Sequence, residues 1–265
     1  MSDFDGGPGG FPPAQPNPSR AAMPPPPPLL SPPPGYIPYG AANQGGSGSF
    51  QRVGGLGKWL VITMMVLIPV QALSVITSIG DRSKARDFIA SRINEDDYTS
   101  TVGLAALLGL VSFALFLAVA VLTMLWMFRM AKNAQVMHRI GTWKPGWAIG
   151  GWFAPPFVLY IIPFLMFRDL WKASDPESTE DWRRNRVGAI VNVWWVLYGL
   201  APLAFLSVTF SSFQLDRTAI DAAKEIDSKF DVTLVSSVVQ VAAAVAYLLL
   251  VRELTARHRR TINET

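Results

Sequence analysis

Charged side chains beside the apolar parts of this chain are the first candidates for chemistry. Asp169 follows a long apolar stretch and shares helical spacing with Leu165 and Lys172. A carboxylate held inside a membrane would be a proton or cation site. The alternative is a solvated helix end in which Arg168, Asp169, Lys172 and Asp175 pair locally, at about 0.3–0.5 kcal/mol per pair. We favour the alternative, because charges of both signs stand close together in this cluster.

Three amide side chains form a second candidate group, because each stands inside a different long apolar segment. They are Gln71, Asn192 and Gln240. Such residues can line the path of a solute, but in membrane proteins they more often hydrogen-bond between helices, at about 0.6–2 kcal/mol each. We therefore interpret them as intramembrane polar contacts that pack helices together.

Catalytic and metal-binding motifs are absent from the sequence. It contains no G-x-S-x-G, no H-E-x-x-H and no Walker loop. The lack of cysteine excludes thiolate catalysis, iron–sulfur clusters and cysteine-ligated zinc. His138 and His258 lie in basic stretches without a nearby acidic pair, which disfavours a metal site. We predict no catalytic, cofactor-binding or metal-binding residue, and a protein that is not an enzyme.

Four long apolar segments predict an all-α membrane domain over residues 56–260. The segments are residues 58–79, 102–128, 188–210 and 232–251, and none has a charged residue between its ends. About 20 apolar residues are enough for a helix to cross a bilayer. The net charge of +4 does not indicate nucleic acid, since the basic residues flank the apolar segments.

The N-terminal residues 1–55 have the composition of a disordered tail. They contain the proline runs 24–28 and 32–34 among Gly, Ser, Asn and Gln. This composition cannot bury a core, and proline runs favour polyproline II. The tail is either a solvated spacer, which is the simpler interpretation, or a docking ligand for a proline-recognising partner. Residues 261–265 form a short C-terminal tail.

Two connecting segments, residues 80–100 and 211–231, resemble each other. Each is net acidic and has apolar residues at helical spacing. We predict that each forms a short amphipathic helix on the membrane surface or over the bundle. The apolar positions are Ala85, Phe88, Ile89 and Ile93 in the first segment, and Ile220, Ala223, Ile226 and Phe230 in the second.

Residues 147–168 are apolar but too broken for one regular helix. Gly150–Gly151 loosens the backbone, Pro155–Pro156 removes two amide donors, and Pro163 adds a third interruption. Broken backbone at membrane depth requires protein or water to satisfy its polar groups. We predict a re-entrant or interfacial helical hairpin that accompanies four spans; the alternative is five spans.

The distribution of Lys and Arg favours the hairpin. With the hairpin, one side carries 16 of these residues and the two acidic segments carry 7, whereas five spans divide them almost evenly. The positive-inside rule then places both termini in the cytoplasm.

Several motifs resemble a bacterial membrane family catalogued as domain of unknown function 4328, over roughly residues 56–260. They are FRMAKNAQ, WKPGWAIGGWFAPP, FRDLWKASDP, the Trp194–Trp195 pair and ELTARHRR. The resemblance implies a multi-span protein of the bacterial plasma membrane, often with a proline-rich N-terminal tail, and implies no activity. The residues that carry the motifs are Arg129, Asn133, Pro145, Gly146, Trp147, Gly150, Trp152, Phe153, Pro155, Pro163, Asp169 and Trp171.

The leading functional hypothesis is a non-enzymatic membrane scaffold or regulatory protein. Its partners would be the bilayer, a protein that binds the proline-rich tail, and anionic lipid at Arg129, Lys132, Arg139 and Lys144. The alternative is a transporter or channel component for a small solute or ion, in which the broken hairpin would supply half-helix ends.

Overall fold

The computed structural model describes residues 49–139, 141, 143–153, 156–178, 181–200 and 218–264. Every regular element in these residues is helical. The helices are α1 (Gly54–Ile89), α2 (Glu95–Val136), α3 (Trp147–Gly150), α4 (Pro156–Ala173), α5 (Ala189–Trp195) and α6 (Ala219–Thr261). A 3₁₀ turn, Gly151–Phe153, follows α3, and a π-helical turn, Val196–Leu200, continues α5.

Three of these helices, α1, α2 and α6, are long and apolar enough to cross a membrane. They contain 36, 42 and 43 residues. At 1.5 Å per residue they measure roughly 54–65 Å, about twice the thickness of a hydrocarbon core. Their polar ends therefore extend well beyond the apolar part. The predicted span 188–210 is described only as far as Leu200, in α5 and its π-helical turn, and the predicted tail is described only from residue 49.

The polar ends of the long helices begin at well-formed caps. The Asn94 side chain accepts a hydrogen bond from the Asp97 amide at the start of α2, at 2.8 Å, and three acidic residues occupy the first turn. Thr218 caps α6 in the same way through the amide of Asp221. Acidic side chains at a helix N-terminus oppose the positive end of the dipole, which favours helix at these positions.

The prediction of two separate amphipathic surface helices is wrong. Residues 80–89 are the C-terminal end of α1, and residues 219–231 are the N-terminal end of α6. Both of these stretches are helical, as the spacing predicts, but their apolar faces cover each other. Ala85 and Ala223 are fully buried between them, together with Tyr98. Because each end supplies the other's apolar partner, neither has to bend away along a surface.

Ion pairs join the same two helix ends. We call the residues that make these contacts, Arg82, Arg86, Asp227 and Phe230, the outer cluster. Arg82 and Arg86 both contact Asp227, at 3.0 and 2.6 Å, and Arg82 lies over the ring of Phe230 at 4.3 Å. The hydrogen bonds from Arg82 and Arg86 hold the pKa of the Asp227 carboxyl below its usual value. The outer cluster therefore ties α1 to α6 beyond their apolar parts.

The main core lies between α1, α2, α4, α5 and α6. Phe167 packs edge-on against Trp194, with ring centroids 4.8 Å apart, and Trp194 also packs against Tyr247 at 5.4 Å. The Tyr247 hydroxyl is 2.6 Å from the Thr123 hydroxyl, so this pair satisfies two buried polar groups. Aromatic side chains thus fill the space where α2, α4, α5 and α6 meet.

The α-helical backbone is broken at Gly151, as the glycines predict, and Pro155 lies outside the described residues; the prediction for Pro163 is wrong. α3 and the 3₁₀ turn end at Phe153, and α4 then runs without a break through Pro163. Pro163 is buried inside α4. Trp195 Nε1 donates to the carbonyl oxygen of Tyr160 at 3.2 Å, in the turn that the proline would open, which supplies a donor there.

A close helix contact generates the first testable prediction. A Cβ atom at Gly57 would lie 2.7 Å from the Thr255 side chain, whereas one at Gly55 would meet nothing within 4 Å. Thr255 is buried and β-branched, so it cannot move aside. We expect Gly57→Ala to lower the free energy of unfolding by about 1–3 kcal/mol.

The matched control is Gly55→Ala in the same helix turn, which should be neutral or more stable by up to ~1 kcal/mol. Unfolding of the purified protein in detergent, followed by circular dichroism, measures both. Equal stability of the two variants would contradict close packing of α1 on α6.

Candidate functional site

A buried polar cluster joins four parts of the chain at the end of the bundle opposite the outer cluster. Asn133, near the end of α2, Ser174, directly after α4, and His258, near the end of α6, are each fully buried. The fourth member is Gln51, which precedes α1. We call these four residues the junction cluster, because Gln51 stands where the N-terminal tail joins the helical domain.

Asn133 holds the backbone of Gln51 from both sides. Its Oδ1 accepts from the Gln51 amide at 2.8 Å, and its Nδ2 donates to the Gln51 carbonyl oxygen at 2.9 Å. The side-chain amide thus pairs with the main chain as a neighbouring strand would. Because only backbone atoms of Gln51 are used, the contact does not depend on the identity of that residue.

The imidazole of His258 completes the cluster. Its Nε2 lies 3.0 Å from Asn133 Nδ2, and its Nδ1 lies 2.8 Å from the Ser174 hydroxyl. His258 follows Arg252 and Glu253 and so lies beyond the apolar part of α6. Burial, with a contribution from the positive charge of Arg139, lowers the pKa of His258 to about 4. The ring is therefore neutral at pH 7.

Further contacts hold the residues next to Gln51. The Glu264 carboxylate accepts from the amides of Val53 and Gly54, both at 3.0 Å, and so caps α1 from the far end of the chain. Arg129 donates to the carbonyl oxygen of Arg52 at 3.0 Å, and the Val53 side chain is fully buried. Residues 51–54, which lie in the predicted tail, are thus held by side chains of α2 and of the segment after α6.

Arg139 holds the backbone on both sides of Ser174, and this contact differs from its predicted role. Its guanidinium donates to the carbonyl oxygens of Ala173 and Asp175, both at 2.8 Å, and also to that of Ser178. These donors point into the protein and close the C-terminal end of α4. The prediction of a lipid-facing side chain therefore does not fit Arg139. The other three predicted lipid contacts, Arg129, Lys132 and Lys144, are exposed.

Asp169 lies on the last turns of α4 rather than at the centre of the bundle. It is half-buried, and its carboxylate stands against Gly141, where an added Cβ would lie 2.8 Å from Oδ2. A cleft of about 20 Å³ lies beside it, lined also by Gln135, Arg139 and Trp143. Such a volume holds about one water molecule. This cleft is too small for an organic solute.

The predicted intramembrane amides are not brought together. Asn192 and Gln240 are exposed, and Gln71 is half-buried with an Oε1 atom that has no partner among the described residues. Their interpretation as helix-packing contacts has no hydrogen bond to support it in the described residues. The polar pair that does lie in the core is Thr123 with Tyr247.

The motif residues occupy different surroundings. Asn133, Pro145, Pro163 and Trp171 are buried, and Trp171 lies under the Arg257 guanidinium at 5.0 Å. Trp152 and Asp169 are half-buried, and Pro155 lies outside the described residues. The exposed members are Arg129, Gly146, Trp147, Gly150 and Phe153.

Of the four members of the cluster, the sequence analysis named only Asn133 as a motif residue and missed Gln51, Ser174 and His258. The signal for His258 was present, because Tyr247, Leu250, Val251 and Leu254 are buried at helical spacing before it. This spacing continues to position 258, so a histidine there had to face the interior. Within the described residues, no group of three His, Asp or Glu side chains is placed to hold a metal ion.

A family model described as "Domain of unknown function (DUF4328)" matches residues 91–256, well over half of the chain. The chain belongs to this family. The DUF4328 match confirms the predicted family and extends from the turn before α2 almost to the end of α6. It includes Asn133, Arg139 and Ser174, and it ends just before His258. No curated protein and no solved structure matches the chain.

The contacts of Arg139 generate the second prediction. Arg139→Lys keeps the charge but loses the fork that reaches several carbonyl groups at once. We expect the free energy of unfolding to fall by about 1.5–3 kcal/mol, the usual contribution of hydrogen bonds to a charged group. Thermal unfolding in detergent measures the change.

Arg184→Lys is the control, since Arg184 forms an ion pair with Asp181 in which both side chains are largely exposed. This change should alter stability by less than ~0.5 kcal/mol. If Arg139→Lys were as mild as Arg184→Lys, Arg139 would not be a structural cap.

Proposed function

We propose that this protein is a non-enzymatic membrane scaffold that holds its proline-rich tail at a fixed point on the end of a helical bundle. The observation that carries the proposal is the paired hydrogen bonding between the Asn133 side chain and the Gln51 backbone. A tail that served only as a spacer would not require its last residues to be fixed in this way.

The charges and burial around the junction cluster support the same proposal. Val53 is fully buried, and the amide of Val53 and that of Gly54 are capped by Glu264, more than 200 residues later in the chain. A residue near the C-terminal end of the domain thus stabilises the start of α1, at the N-terminal end of the same domain. Holding the tail at one place raises its effective concentration toward partners gathered at the same surface.

The aromatic core argues against the alternative of a transporter. Phe167, Trp194 and Tyr247 fill the meeting point of α2, α4, α5 and α6. The cleft beside Asp169 has room for about one water. A solute path would have to open through this packing. Solute flux into proteoliposomes that contain the purified protein would favour the alternative.

The same proposal includes an orientation in which the predicted hairpin, residues 147–168, is re-entrant. Arg139, after α2, contacts the carbonyl oxygens of Ala173 and Asp175, at the end of α4. The segment between them therefore starts and finishes at one end of the bundle. Gln51 and Glu264 lie at this end as well. The surplus of Lys and Arg on this side favours a cytoplasmic position for it, and for both termini, in a bacterial cell.

Single cysteines in this cysteine-free chain test the orientation. Lys132→Cys and Glu177→Cys should react with a membrane-impermeant maleimide from one side only. Ala90→Cys and Lys224→Cys, near the outer cluster, should react only from the opposite side. All four side chains are exposed, so reactivity reports sidedness. Labelling of position 177 from the side of position 90 would replace the re-entrant segment by a full span.

The tail itself is tested by cross-linking and co-purification from native membranes. Deletion of residues 1–48, and replacement of the prolines in 24–28 and 32–34 by alanine, should both remove the bound proteins, because proline runs present a preformed polyproline II surface. The control changes Asn43, Gln44 and Ser47 to alanine and leaves every proline in place. Unchanged partners after the deletion would overturn the scaffold proposal.

A further inference from the structure

The orientation of the Asn133 amide is fixed by main-chain atoms. Oδ1 must face the Gln51 amide and Nδ2 must face the Gln51 carbonyl oxygen, since the reverse orientation would oppose two donors and two acceptors. The second hydrogen of Nδ2 is then directed at His258 Nε2, 3.0 Å away. The hydrogen bonds to Gln51 thereby determine whether His258 Nε2 must donate or accept a hydrogen bond.

His258 Nε2 has to accept a hydrogen bond, so the ring carries its proton on Nδ1 and donates it to the Ser174 hydroxyl at 2.8 Å. A proton on Nε2 would put two N–H donors face to face at 3.0 Å. The conflict is relieved when the Asn133 amide turns over and offers Oδ1 to the imidazolium. That rotation removes both hydrogen bonds to Gln51.

The charged groups around the ring do not offset a positive charge on it. Arg139 approaches from the segment after α2 and adds a second positive charge, and the side chain of Arg52, next to Gln51, is exposed. After α4, Asp175 is paired with Arg257 of α6 at 3.2 Å. Glu264 is occupied by the amides of Val53 and Gly54. Among the described residues, no carboxylate forms a hydrogen bond or ion pair with the imidazole.

We propose that His258 is a proton latch, in which protonation of Nε2 turns the Asn133 amide and releases residues 49–51 from the helical domain. The latch regulates the same junction on which the proposed scaffold function rests. Neutral pH keeps the tail held at the bundle, and acidification frees the tail's last residues, so that the tail gains reach and loses its fixed direction.

The direction of the effect follows from linkage. In the closed form, in which Asn133 holds Gln51, the pKa of His258 is about 4. In the open form, in which Gln51 is released and His258 is solvated, this pKa returns toward 6.5. Protons therefore favour the open form as pH falls from about 6.5 to 4. Between pH 7.5 and 4.5 the open-to-closed ratio rises roughly 70-fold. An open fraction of about 1% would become roughly 40%.

Distance measurements between spin labels on the full chain test the latch. The junction pair carries labels at Phe50→Cys and Ala256→Cys, and the control pair at Lys132→Cys and Ala256→Cys; all three positions are exposed. In lipid nanodiscs, the junction pair should give a narrow distribution at pH 7.5 and a broad, longer one at pH 4.5. The control pair, which spans α2 and α6, should not change.

Three further variants isolate the cause. His258→Gln, which cannot titrate, should keep the junction pair narrow at both pH values. Asn133→Asp can accept from the imidazolium and from the Gln51 amide, so acid should no longer broaden the distribution. His138→Gln removes the chain's other histidine, which is exposed, and should leave the acid response intact.

The latch is overturned if the wild-type junction pair is the same at both pH values, if His258→Gln still responds to acid, or if the control pair broadens together with the junction pair. The measurement contains no partner protein. A rigid junction would thus reject the latch while partner binding through the prolines stands, and loss of the scaffold proposal would leave the label distances unaffected.

Discussion

The arrangement of the junction cluster depends on one amide group, the side chain of Asn133. Among the described residues, Asn133 is the side chain that hydrogen-bonds to both the segment before α1 and the imidazole of α6, and its orientation is fixed by the Gln51 backbone. Burial makes this dependence strong, because a buried polar atom without a partner costs about 1–3 kcal/mol. The position of Gln51, the tautomer of His258 and the hydroxyl of Ser174 are therefore coupled, and a change at one is felt at the others.

The two ends of the bundle use different chemistry. The outer cluster joins α1 and α6 through ion pairs whose side chains are partly or largely exposed, such as Arg86 with Asp227. Exposed pairs are screened by salt and contribute little each. The junction cluster is buried and uses neutral hydrogen bonds at fixed distances. Such an arrangement is specific and responds to protonation, whereas the outer cluster mainly keeps the ends of two long helices together.

Close contacts between helices connect the junction end of the bundle to the apolar middle of the helices. Gly57 lies against Thr255 near the junction, and Gly188 leaves no room for a Cβ beside Trp171. Trp171 in turn lies under Arg257, which pairs with Asp175. The positions of α4, α5 and α6 relative to one another at this end are thus fixed by a continuous series of contacts, from Gly188 through Trp171 to Arg257.

Periodicity and composition in the sequence predicted much of the fold. The helical class, the family, the break at Gly151 and the helical character of residues 80–89 and 219–231 all follow from local patterns of apolar residues, glycine and proline. The same patterns failed at Pro163, where a donor from Trp195 lies close to the turn that the proline opens. They also failed at the two amphipathic segments, whose apolar faces cover each other.

What the sequence determined alone was the chain's apolar segments, its lack of cysteine and catalytic motifs, and the spacing that places His258 on the inner face of α6. The tertiary structure decided that Gln51, Asn133, Ser174 and His258 meet. These residues are separated by up to about two hundred positions, and no local rule relates them. A hydrogen-bond partner that is distant in sequence is fixed only when packing brings two helix ends together and excludes water from the space between them.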